Sequence, residues 1–337
     1  MDPFLFPAFF CYHEAMIELF GTLGPACSDT DTLTEMFQAG MSGMRLNLSH
    51  ASLSESEAMI RCFQTAAERA SVKPELLIDL QGPELRIGTL PQPLELHEAD
   101  RIPLAALHLP EAVTDALCEQ DGILMDDGRL EGTVTGGDLK ILRGGTLTSR
   151  KSIKIIGRDV PMPALTETDR QNLSAALHFG VSAVMQPFTR SAEDVREVRD
   201  ALNACGAESV RIFSKIENRQ GLSHLEEIIR CSDMVVIARG DLGNDLPLYE
   251  LPGVQKDIAA CCLKEKVPFL VVTQMLTSMI HSPIPTRAEV SDIFNAVTDG
   301  ASAIMVTNET AVGEYPVNVI RVMHDTVAAA EHWLTNH

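Results

Sequence analysis

Short, nearly continuous apolar runs recur along the chain, and each is followed by a stretch whose apolar positions have helical spacing. The runs lie at 17–23, 43–48, 75–80, 181–186, 210–215, 234–239, 268–273 and 303–307. Runs this apolar predict parallel strands buried on both faces. The helical stretches lie at 31–39, 55–70, 168–179, 191–204, 221–229, 251–265, 287–299 and 317–335. Ser28 and Asp29 are suitable N-caps for the first of these, while Gly40, Gly180 and Gly206 mark helix stops. Eight strand–helix alternations without a dinucleotide-binding glycine fingerprint predict an α/β fold, a (β/α)8 TIM barrel.

One interval breaks the rhythm. From 87 to 160 the pattern changes to short strands and Gly turns, as in GILMDDGRLEGTV, TGGDLKIL and GGTLTSRKSIKII. It reads as a small β domain inserted after strand 3, on the side where barrel enzymes build their sites, and so as a lid. The predicted organisation is a leader at 1–16, a catalytic barrel at 17–86 and 161–337, and an inserted β lid at 87–160.

Composition narrows the classes. The 337 residues are 45% hydrophobic but only 5% aromatic, as an interior of Ala, Val, Leu and Ile requires. A formal net charge of -20 argues against nucleic acid and anionic membranes as partners, while leaving room for a local basic pocket. The eight cysteines form no paired C-x-x-C motif, so reduced thiols in a cytoplasmic protein are the expectation. The opening MDPFLFPAFFCYHEAM is apolar but broken by two prolines and lacks a basic n-region, which makes it a poor signal peptide. It reads as a leader or an overextended start, with Met16 the natural beginning.

The strand ends carry the candidate chemistry. Polar residues gather at Arg45–His50, Asp79–Arg86, Lys215–Asn218, Arg239–Gly243, Thr273–Met275 and Thr307–Thr310, where this fold places catalysis. Glu217 and Asp241, from neighbouring strands, suit Mg2+ or Mn2+ better than zinc. Lys215 precedes Glu217 by two positions, so both point to one side of the strand, and its ammonium can neutralise charge on a moving phosphoryl group. Arg45 can clamp a phosphate or carboxylate with its fork of donors. Backbone N–H groups at Gly240 and Asp241 could hold a carboxylate. Cys261 and Cys262 read as helix core, and His50 is ambiguous by itself.

The segments GTLGPAC, MRLNLSH, DLQGPELR, MDDG, SKIEN, ARGDLG, TQMLTSM, PTRAE and NETAVGEYP follow in order. Together they resemble pyruvate kinases, from about Ile17 to the C-terminus. The resemblance implies that Glu217 and Asp241 hold the divalent metal and that Lys215 stabilises the transferred phosphoryl group. It implies that Arg45, Gly240, Asp241 and Thr273 bind phosphoenolpyruvate. Asn47, Ser49, Asp79 and the Leu80 carbonyl would hold K+, with Glu84 the residue type of potassium-dependent members. Asn47, His50, Arg86 and Lys151 would contact the nucleotide. Thr273 or Thr307 would help a proton reach the enolate carbon. The implied activity is phosphoryl transfer from phosphoenolpyruvate to ADP, giving pyruvate and ATP, with Mg2+ (or Mn2+) and K+ as cofactors and a homo-oligomer through the barrel allowed.

The chain departs from the family pattern at several places. It stops after the eighth barrel helix, without the family's C-terminal domain, and its lid is shorter. Gln81 and Val312 stand for usual lysines, Pro187 for a usual serine, and Thr307-Asn308 for a Ser-Gly pair. Two alternatives therefore stay open: metal-dependent enolate chemistry of aldolase or decarboxylase type, and phosphoenolpyruvate binding without turnover.

Overall fold

The computed structural model describes residues 16–337 apart from His50, Glu84, Asp127, Arg158, Asp159 and Pro161. The readings placed on residues 1–15 of the leader and on His50, Glu84 and Asp127 thus lie outside the described residues.

The chain opens with β1 (Glu18–Thr22), α1 (Thr30–Gln38), β2 (Gly43–Asn47), α2 (Glu57–Ala70) and β3 (Glu75–Asp79). There follow β4 (Leu94–Leu96), β5 (Arg101–Pro103), α3 (Glu111–Ala116), β6 (Gly122–Met125), β7 (Leu130–Thr135), β8 (Asp138–Arg143), β9 (Gly145–Leu147) and β10 (Ile153–Ile155). The alternation then resumes with α4 (Glu167–Ala175), β11 (Ala183–Gln186), α5 (Ala192–Ala204), β12 (Arg211–Ile216), α6 (Arg219–Ser223) and α7 (Leu225–Cys231). It ends with β13 (Met234–Ala238), α8 (Arg239–Asp245), α9 (Leu251–Glu265), β14 (Phe269–Val272), α10 (Arg287–Thr298), β15 (Ala303–Met305), α11 (Asn308–Ala311) and α12 (Pro316–Asn336).

Eight parallel strands close in the order β1-β15-β14-β13-β12-β11-β3-β2. Every residue of β11, β13, β14 and β15 is buried, the signature of strands covered on both faces. By contact density the chain divides into two compact units. One holds the described residues up to Arg45 together with Arg61–Glu75 and Pro268–His337. Within it β1 pairs with β2 and β15, and α12 packs on α1 and α10.

The other unit is Leu46–Ile60 with Leu76–Val267. In it β11 pairs with β3 (Met185 opposite Asp79), and β12 with β13 (Lys215 opposite Val236). The segment after β3 forms an antiparallel sheet, β10-β6-β7-β8-β5, beside the pair β4-β9. It has its own apolar core, which includes Leu107, Ile123, Met125, Leu139, Ile141 and Leu147. Strand β7 alternates buried and half-buried positions, the period of a sheet covered on one face.

A buried carboxylate holds together the two ends of this insertion. Asp169, fully buried in α4, accepts the Gln81 N–H (2.9 Å) and Gly82 N–H (3.1 Å) where the chain leaves β3. It also accepts the Thr166 N–H (2.9 Å) and hydroxyl (2.7 Å), completing a capping box where the chain returns. Asp169→Ala strands several donors in the interior, so it should destabilise the protein by about 2–4 kcal/mol in chemical denaturation, since each lost buried partner costs ~1–3 kcal/mol. A loss below about 0.5 kcal/mol, the usual range for surface changes, would contradict this.

Three elements differ from the periodic pattern. The helix read at 168–179 ends at Ala175, with turns before Gly180. The stretch 221–229 is two helices that meet at His224, the first capped by the Asn218 side chain on the Gly221 N–H. Strand β13 stops at Ala238, short of the run read to 239, and the residues after it form the short helix α8. Gly240 and Gly243 depress helix propensity and hide that helix from the pattern.

Candidate active site

Lys215 stands near the end of β12, and its side chain is 13% exposed. Its ammonium lies 2.9 Å from Glu217 Oε1 and 3.2 Å from Asp79 Oδ2, so one cation sits between two buried carboxylates. Alternation along the strand puts Lys215 and Glu217 on one side, and the neighbouring β3 supplies Asp79. The second oxygen of Glu217 accepts the Phe188 N–H at 2.7 Å. Phe188 follows β11 with a φ of +51°, a costly conformation for a bulky side chain. Strain of this kind at a strand end is characteristic of functional sites.

Glu217 is buried, and its carboxyl is pushed up to about 7. Burial is the main cause, with Asp241 and Asp79 adding repulsion and Lys215 opposing it. Asp241 lies exposed in the first turn of α8 and lines the same cleft as Glu217, Asn218 and Asn244. The facing wall, from the inserted sheet, offers Leu124, Ile155 and Lys154. These carboxylates fit a divalent cation. They are hard oxygen donors, and Glu217 in this field binds a proton far more readily than an ordinary carboxylate does. Among the described residues no three His, Cys, Asp or Glu side chains converge on one point, which leaves Glu217 and Asp241 as a pair.

The same unit carries other candidates. Asn47 accepts the Ser49 N–H on its side-chain oxygen (3.1 Å), and the Leu48 N–H donates to the Asp79 carbonyl (2.9 Å). The Leu80 N–H donates to Met185 O, which fixes the turn after β3. Arg86 and Lys151 are brought together at the base of the insertion: Arg86 bridges Ser152, and the Ile87 N–H donates to the Lys151 carbonyl. The Lys151 ammonium is 2.6 Å from Asp126, which directly follows β6. Gly240 is the second residue of α8.

Arg45, Thr273 and Thr307 belong to the first unit. Arg45 Nη1 reaches the Thr22 hydroxyl (3.4 Å), which donates to the Val306 carbonyl beside Thr307 (3.0 Å). Thr273 and Gln274, directly after β14, have φ of +80° and +58°. A residue of the strand end Thr307–Thr310 to which the sequence assigns no role organises this group. Glu309, 1% exposed, accepts the Thr307 N–H (2.7 Å) on one oxygen and the Leu276 N–H (3.3 Å) on the other. Its signal is an acid two positions past a polar strand end, the same offset that separates Glu217 from Lys215.

Residues 15–320 match the family model described as pyruvate kinase, barrel domain. The chain belongs to the pyruvate kinase family. It is similar to the pyruvate kinase of Geobacillus stearothermophilus, 35% identical over 331 residues that cover 93% of this chain and 56% of that protein. It is 37% identical to the pyruvate kinase of Methylorubrum extorquens over 323 residues, covering 91% of this chain and 67% of that one. Against the pyruvate kinase of Chlamydia trachomatis serovar D it is 32% identical over 339 residues, 96% and 70% of the respective chains. The chain thus spans just over half the length of the Geobacillus pyruvate kinase. The departures from the family pattern also have a place in the structure. Pro187 packs on Gly82, where a Cβ would come within 2.5 Å of its ring, and Val312 is exposed. Among the described residues no helix is long and apolar enough to cross a membrane.

The raised carboxyl of Glu217 makes a signed prediction. Its folded value near 7 exceeds the ordinary 4.5, so the folded protein holds a proton there that a metal must displace. Mn2+ affinity should be flat above pH 7 and fall by up to about tenfold per unit as the pH drops below it. Titrations at pH 6, 7 and 8 check this, and an affinity unchanged from 8 to 6 would contradict it.

Proposed function

We propose that this pyruvate kinase family member transfers the phosphoryl group of phosphoenolpyruvate to ADP, giving pyruvate and ATP. The observation that carries this reading is the Lys215 ammonium held between buried Glu217 and Asp79 at a barrel strand end, with Asp241 acting on Glu217. Glu217 and Asp241 would hold Mg2+ or Mn2+. Such an ion, when bound, supplies positive charge to phosphoryl and carboxylate oxygens.

Lys215 faces the charge that builds on the phosphoryl group as it leaves the enol oxygen. Asp79 and Glu217 hold its ammonium in place, so no reorganisation is needed at transfer. Arg45, with Gly240, Asp241 and Thr273, binds the substrate anion. Thr273 or Thr307 passes a proton to the enolate carbon, and Glu309 holds Thr307 in place. The nucleotide role falls to Asn47, His50, Arg86 and Lys151. Asn47, Ser49, Asp79 and the Leu80 carbonyl form an all-oxygen set suited to K+. The insertion at 87–160 acts as a lid that excludes water. A cytoplasmic location is part of this reading, and the absence of paired C-x-x-C motifs in the sequence supports it.

Phosphorus NMR of a reaction with phosphoenolpyruvate, ADP, Mg2+ and K+ tests the reading. The expected result is loss of the phosphoenolpyruvate signal matched by growth of ATP. Release of inorganic phosphate without ATP would be hydrolysis and would contradict the reading, while no consumption at all would favour the enolate or binding-only alternatives, for which Pro187 and Val312 speak.

A further inference from the structure

Asp245 closes α8 one helical turn after Asp241, so the two carboxylates share a helix face. A carboxylate at a helix C-terminus opposes the backbone dipole, and α8 itself gives no reason for an acid there. Its partners do. Oδ2 accepts the Arg219 N–H at 2.7 Å, and the Asp245 carbonyl accepts Arg219 Nε at 3.0 Å. Arg219 lies two residues after Glu217, at the start of α6. Oδ1 takes the ammonium of Lys154 from β10 of the inserted sheet, in an ion pair whose carboxylate is 14% exposed. Lys154 lines the cleft together with Glu217, Asn218 and Asp241. One side chain therefore ties the helix that carries Asp241 to the turn that carries Glu217, and ties both to the insertion.

We propose that Asp245 is a positioning residue that sets Glu217 and Asp241 at the spacing a divalent cation requires. The inference rests on the metal role given to those two residues. Residues that orient metal ligands are worth about 10- to 100-fold in affinity, which is the size of effect to look for.

The test is direct Mn2+ binding to the full chain, followed by electron paramagnetic resonance, with the melting midpoint of each variant measured alongside. Asp245→Ala should weaken Mn2+ binding about tenfold. Asp245→Asn keeps an oxygen for the Arg219 N–H while losing the charge, and should stay within about threefold of the unaltered protein, less than any orienting loss. Asp245→Glu keeps the charge but moves the oxygens, and should fall with the alanine variant. It carries the test should alanine fail to fold. Unchanged affinity in Asp245→Ala, or in Asp245→Glu where alanine does not fold, overturns the proposal. A loss in Asp245→Asn equal to that of Asp245→Ala also overturns it, since charge rather than position would then be the cause. If Glu217→Gln leaves Mn2+ binding intact, or the unaltered protein binds none, the metal reading itself fails and this inference falls with it.

Discussion

Glu217→Gln should abolish measurable Mn2+ binding and lower pyruvate formation by at least about a thousandfold, the scale of losing a main charge-stabilising element. The substitution preserves shape, and an amide oxygen can still accept the Phe188 N–H. What it removes is the charge. The metal-free protein should not suffer for that. Because burial and Asp241 raise the Glu217 carboxyl to about 7, ionising it disfavours folding increasingly as pH rises from 4.5 through 7. A neutral amide removes that penalty, and Lys215 keeps Asp79 as its partner. The melting midpoint of metal-free Glu217→Gln at pH 8 should therefore match or exceed that of the unaltered protein. A large drop in stability with metal binding retained would show that Glu217 is an ordinary structural acid.

Lys215→Met gives the opposite stability result with the same loss of turnover. It leaves Asp79 and Glu217, both nearly inaccessible, without the cation between them. Removing one partner of a buried ion pair typically costs ~3–5 kcal/mol. The cost should be largest above pH 7, where Glu217 is ionised, and smaller near pH 6, where it takes up a proton. Added Mg2+ should restore part of the stability, because a cation bound at the acids replaces the missing charge. Denaturant midpoints at pH 6 and 8, with and without Mg2+, check all three statements. Equal midpoints for the variant and the unaltered protein would mean that Lys215 does not hold these acids together.

Much of this site is legible in the amino-acid sequence. The eight strands were readable because parallel strands covered on both faces are apolar throughout, as β11 and β13 show. Lys215 and Glu217 were readable as neighbours because alternation along a strand puts positions two apart on one side. Other features left no periodic trace. Phe188 looks like a core residue, and its left-handed backbone and its bond to Glu217 exist only once β11 and β12 are paired. Asp169 joins chain segments nearly ninety residues apart, as its bonds to Gln81 and Gly82 show, and its position on a helix says nothing of that. Asp245 is hidden for the same reason, in a short helix whose Gly240 and Gly243 leave no helical signal. The acids that were missed are those whose partners are backbone amides or side chains of other elements.

The rate of pyruvate formation from phosphoenolpyruvate and ADP, in Mg2+ and K+, measured side by side for the unaltered protein and Lys215→Met, tests the central claim most directly. Saturable turnover in the first and a loss of at least about a thousandfold in the second is the predicted result. Binding of phosphoenolpyruvate with Mn2+ but no pyruvate from the unaltered protein, or equal rates in the two, would contradict it.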